Sequence, residues 1–173
     1  LFSASSGSGT LTKPDGSTYE AYCDQSTFGG GWTLVAKVQG QSSLMNRLNT
    51  AQWRDGTLLG STADLTDENA LGDAYSNVQF SDIMIRALDD PNKHVAWRHP
   101  TTYDNMNSVV RACTPISDGV LLSGSPQVRL ALRVLTRLAL RQSGGGSGLA
   151  CRFLTRFPPL VAGPRLYRIA LES

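Results

Sequence analysis

The sequence predicts an α+β domain of short strands and long loops over residues 1–124, followed by an unrelated Arg/Leu-rich tail over residues 125–173. Three observations predict this. Short runs rich in Thr, Tyr, Trp and β-branched residues are bounded by glycine and proline turn signals. Charged residues are only 17% of the chain, against about 25% in an ordinary soluble domain. The charge balance also breaks at one point. Residues 1–124 carry eight Lys and Arg against thirteen Asp and Glu, a net −5. Residues 125–173 carry eight Arg, no Lys and one acid, Glu172, a net +7. A shift of that size marks a boundary.

With 173 residues, 40% of them hydrophobic, the chain is long and apolar enough for one domain with a sizeable core. No uninterrupted apolar run approaches the ~18 residues of a membrane span. Residues 1–8 are too short and too polar for the apolar core of a secretory leader, so the signal of an exported protein is expected outside this sequence.

Residues 10–13 and 18–23 are strand-like runs joined by Pro14-Asp15-Gly16. This is a hairpin signal, because Pro presets the first turn φ while Asp and Gly tolerate the turn positions after it. Gly29-Gly30-Gly31 marks a bend where backbone passes close to backbone. A phosphate loop is disfavoured there, since no Gly-Lys-Ser/Thr and no helical pattern come after the glycines. Trp32-Thr33-Leu34-Val35-Ala36-Lys37-Val38 reads as a core strand. Residues 44–78 are polar and turn-rich, residues 80–86 and 95–98 read as two further strands, and residues 103–111 as a short helix with Asp104 near its start.

In the tail, Arg129, Arg133, Arg137 and Arg141 recur every fourth residue among leucines, which suits a basic amphipathic helix ended by a Gly/Ser stretch. Such a helix suits an anionic membrane surface as an alternative partner. It lacks the interleaved aromatics of a single-strand platform, so no specific nucleic acid is expected. The same Lys-free, nearly acid-free composition also resembles a shifted reading frame or an aberrant splice product.

Tyr22-Cys23-Asp24 followed by Phe28-Gly29-Gly30-Gly31-Trp32-Thr33-Leu34-Val35 resembles the opening of a fibrinogen-related domain. Tyr75-Ser76-Asn77, Phe80-Ser81-Asp82-Ile83 and Trp97-Arg98 are similar to the intelectin branch of that family. The resemblance covers about residues 8–113 and implies the N-terminal part of a fibrinogen C-terminal-like fold in a secreted, non-enzymatic lectin. It further implies glycans or microbial surface sugars as partners. The family's ligand pocket and best-known calcium site lie in its C-terminal third, which the tail replaces, so carbohydrate binding is expected to be impaired.

Asp64, Asp67, Glu68, Asn69 and Asp73 offer the oxygen ligands that calcium prefers, without the spacing of an EF-hand loop. The rival reading is a solvated acidic loop with helix N-caps. In intelectins an acidic stretch at this place contributes to a structural calcium site; by that resemblance Asp73, with Asp67 and Glu68, is the candidate metal set. Three cysteines leave an odd count. The resemblance pairs Cys23 with a cysteine upstream of the first strands, outside this sequence, and assigns no partner to Cys113; Cys113 and Cys151 could also pair. His94 and His99 do not share a helix face, and no catalytic signature is present. Trp32, Trp53 and Trp97 read as core packing in preference to a sugar-stacking platform.

Overall fold

The computed structural model describes residues 5–39, 51–66, 69–87, 94–112, 120–124 and 166–172. Among them, eight strands form one antiparallel sheet with few and short helices, in agreement with a sheet-rich α+β class.

The first hairpin joins β1 (Gly7–Thr12) to β2 (Thr18–Asp24) in a register that pairs Gly7 with Cys23 and Thr12 with Thr18. Its turn is closed by the Lys13 amide donating to Ser17 O at 2.8 Å and the Gly16 amide donating to Lys13 O at 3.0 Å. Gly16 takes φ 86°, which is why glycine stands there. Asp15 accepts from the Ser17 amide at 2.9 Å, fixing the exit from the turn.

Next comes β3 (Trp32–Gln39), as its aromatic and β-branched composition predicts. A register shift between Leu34 and Ala36 turns Val35 and Ala36 both toward the main core, where they join Val38. Trp32 faces the other way and packs with Met84 and Ala96. Helix α1 (Ala51–Asp55), the two-residue strand β4 (Ala70–Leu71) and helix α2 (Ala74–Asn77) come after it. Trp53 and Tyr75 meet edge to face at 5.7 Å, and the Tyr75 hydroxyl donates to Trp53 O at 2.8 Å. Both rings are buried core members, as is Trp97.

Strand β5 (Phe80–Ala87) pairs with β6 (His94–Tyr103). Its alternation sends Ile83 and Ile85 into the main core and Met84 to the Trp32 cluster. β6 runs past the four residues expected. Pro100 sits where the ladder jumps from Arg98–Asp82 to Tyr103–Phe80, a place that needs no amide from it. Helix α3 (Met106–Ala112) starts later than expected. Asn105, not Asp104, caps it, because its Oδ1 reaches the Ser108 amide at 2.8 Å. Among the described residues no helix is long and apolar enough to cross a membrane.

The tail's composition sets it apart from the domain before it, yet β8 (Leu166–Glu172) lies inside the sheet, between β3 and β5, while β7 (Val120–Gly124) borders β6. β8 pairs with β3 from Trp32–Glu172 to Gln39–Leu166, and with β5 from Asp82–Glu172 to Ala87–Tyr167. β3 and β5 are both apolar strands with backbone groups to satisfy, and a run of Leu, Tyr, Ile and Leu is strand-forming enough to join them. Residues 125–165, with the candidate basic helix, lie outside the described residues.

Replacing Ala170 by proline tests the assignment of β8. Proline removes an amide from a strand paired on both sides, and should lower stability by roughly 3 kcal/mol. Urea unfolding monitored by tryptophan fluorescence measures it; an unchanged midpoint would place β8 outside the sheet.

Candidate functional site

The segment from Cys23 to Trp32 folds into one closed turn between β2 and β3, with Asp24 at its centre. Asp24 Oδ1 accepts from the Ser26 amide at 2.9 Å, Ser26 Oγ at 2.8 Å and the Thr27 amide at 3.0 Å. It also accepts from Ser6 Oγ at 3.3 Å, while Oδ2 accepts from Thr27 Oγ1 at 2.6 Å. From across the sheet, Arg86 Nη1 donates to Asp24 Oδ2 at 3.2 Å and to Thr27 Oγ1 at 3.3 Å. Burial pushes the Asp24 carboxyl up, but the hydrogen bonds from Thr27 and Ser26 outweigh it and hold the group at about 2. An Asp with Ser and Thr two and three positions later is the sequence signal for such a turn.

Behind Asp24 the backbone is left-handed for four residues: Phe28 at φ 49° and Gly29, Gly30 and Gly31 at 96°, 88° and 85°. A Cβ on Gly30 would stand 2.6 Å from Gln25 O, so only glycine fits there. The Trp32 indole nitrogen closes the turn by donating to Thr27 O at 2.7 Å. Phe28, a bulky residue in a region that disfavours it, is 38% exposed and packs edge to face on His94 at 4.8 Å.

Beside the turn lies a cavity of about 190 Å³. Its lining joins polar residues (Ser6, Asp24, Arg86) to apolar ones (Trp32, Leu34, Met84). It exceeds the ~150 Å³ that holds a benzene-sized guest, and is smaller than the ~300 Å³ at which drug-sized sites begin. Arg86 reaches both Asp24 and Thr27 through Nη1.

Of the candidate metal set, Asp73 alone lies among the described residues. Asp73 forms an ion pair with Lys13 at 2.6 Å, and its side chain makes no cap bond to α2. Asp64 pairs with the fully buried Lys37 at 3.0 Å. Its carboxyl is held well below the usual range, first by the Thr66 hydroxyl and amide and then by Lys37. Among the described residues no three His, Cys, Asp or Glu gather as a metal set. Asp67 and Glu68 lie outside the described residues, as do Cys113, Cys151 and the arginines of residues 129–141.

Cys23 is buried with a free thiol, 3.8 Å from Ala21 O. Burial, and then the Glu20 charge, push its pKa up, so it is a poor nucleophile. Sequence reasoning gives no sign of the roles of Arg86 and Asp82. Asp82, 1% exposed, accepts from Arg98 Nε at 3.0 Å and Nη2 at 2.8 Å. No protein-family model matches the chain.

The Asp24 geometry sets a pH dependence. A carboxyl at about 2 when folded and 3.8 when unfolded stabilises the fold fully above about pH 4. That contribution fades as the pH falls through 2. Asp24→Ala should therefore cost about 2 kcal/mol at pH 7, and its difference from the parent chain should shrink between pH 4 and pH 2 in acid titrations of stability. The buried thiol sets a second expectation. Iodoacetamide at pH 8 should modify Cys23 only after denaturation; peptide mapping that finds it alkylated in the native protein, or bridged, contradicts a buried free thiol.

Proposed function

We propose that this chain is a non-enzymatic recognition module of the fibrinogen-related, intelectin-like kind, working outside the cell, with weak or lost calcium-dependent sugar binding. The observation that carries the reading is the closed turn from Cys23 to Trp32. The first stretch of the resemblance acts there as one unit: a saturated carboxylate, three left-handed glycines and an indole lock.

The chemistry beside the turn supports binding over catalysis. Asp24 stays ionised at any physiological pH and has no proton to give as an acid. The Cys23 thiol is held protonated by burial. A cavity lined by Arg86 together with aromatic and aliphatic side chains instead suits a small polar group. The loss of calcium-dependent binding rests on the tail, where one carboxylate stands among eight guanidinium groups that repel a divalent cation.

A glycan array in millimolar calcium, repeated with chelator, tests both parts. The expected result is no chelator-sensitive signal and no product released from any sugar. Robust chelator-sensitive binding would overturn the loss of the calcium site, and hydrolysed product would overturn the non-enzymatic reading.

A further inference from the structure

Among the described strands, β1 closes one side of the sheet, and the hairpin fixes which of its backbone groups are spent. Lys13 and Ser17 face each other as a hydrogen-bonded pair across the turn. Bonded and non-bonded pairs alternate along an antiparallel ladder. Leu11–Tyr19, Gly9–Ala21 and Gly7–Cys23 are therefore the bonded pairs, and Thr12–Thr18, Thr10–Glu20 and Ser8–Tyr22 the non-bonded ones. The amides and carbonyls of Ser8, Thr10 and Thr12 thus point away from β2, off the edge of the sheet. All three residues are exposed.

Sheet edges of this kind are ordinarily guarded by lysine, proline, a bulge or an inward charge. Gly7–Thr12 contains none of these. The nearest lysine, Lys13, is turned away, with its ammonium 2.6 Å from Asp73 and 5.9 Å from the centre of the Tyr19 ring. The Ser8 and Thr10 hydroxyls both donate to Glu20 on the neighbouring strand, which holds the edge in order.

We propose that this edge pairs with β1 of a second copy of the chain, antiparallel about a two-fold axis at Thr10. The pattern is self-complementary in that register. Thr10 faces Thr10 of the second copy and Ser8 faces Thr12, each pair exchanging two backbone bonds through the groups the hairpin leaves outward. Between those pairs Leu11 falls opposite Gly9. Leu11 already packs against the main core, and a position without a side chain leaves room for it. The Glu20 backbone lies one strand back on each copy, about 14 Å from its mate at three strand spacings, while the carboxylates, held by Ser8 and Thr10, reach toward the axis. Two like charges on one face of the axis oppose pairing at low salt and are screened over the ~8 Å Debye length at physiological salt. Six residues of edge bury less than the ~1,200 Å² of a stable interface. The dimer is accordingly weak, and forms at concentrations on the order of 0.1 mM.

Sedimentation velocity of the full chain over a concentration series should show a reversible monomer–dimer equilibrium. Thr10→Pro removes one outward amide that the hairpin does not use, and should shift the equilibrium to monomer while the thermal midpoint stays close to the parent. Thr10→Cys should form a symmetric disulfide on mild oxidation, since facing Cα atoms of a bonded pair stand about 5.5 Å apart. Ser8→Cys and Thr12→Cys, which meet each other and not themselves, should not cross-link above the background of the native cysteines. A monomer at every concentration, a dimer untouched by Thr10→Pro, or equal cross-linking at all three positions would overturn the proposal.

Discussion

The sheet is continuous only because one strand serves two neighbours. β3 and β5 do not pair with each other; each pairs with β8, which contributes backbone groups to both along nearly its whole length. On one side stand the hairpin, the Asp24 turn and β3, and on the other β5, β6 and β7. Arg86 crosses that seam to reach Asp24, so the cavity beside the turn also depends on the seam being filled. The main core, drawn from both sides, is the other tie between them.

Much of the fold is legible in local chemistry. The Pro-Asp-Gly turn, the Trp32 strand and the β5 and β6 strands are dictated by residues close in sequence, which is the range over which turn and strand signals act. β8 is not legible in that way. Its charge belongs with the arginine-rich tail, and only the existence of two distant strands with vacant backbone groups gives Leu166–Glu172 a place. The start of α3 escapes sequence reasoning for a smaller reason. Asp104 and Asn105 are both good caps by type, and geometry alone chooses between them.

At the candidate site the legible part is the element Cys23 to Trp32, and the illegible part is what each residue does there. Asp24 and the glycines look alike in sequence whether they bind something or merely close a turn. In the structure both oxygens of Asp24 are spent on its own loop, on Ser6 and on Arg86. The acidic stretch shows a second limit of the same kind. Oxygen ligands close in sequence suggest one ion, whereas Asp64 and Asp73 are each taken by a different lysine, twenty-four residues apart in the chain. A carboxylate's partner is a tertiary fact that spacing does not carry.

Lys37 has a further consequence. Its ammonium is fully buried on β3, while its partner Asp64 is half exposed and also holds Thr66. Leu65, between them in the chain, forms part of the cavity wall. One end of this strut is open to solvent, where ions and acid reach it, and the other cannot be left alone without stranding a charge in the interior. Because the Asp64 carboxyl titrates below its unfolded value, the strut holds above about pH 4 and weakens as acid protonates the folded group. The wall beside the cavity thus hangs on a contact open to its medium, and the solvent helps to set how tightly that side is held.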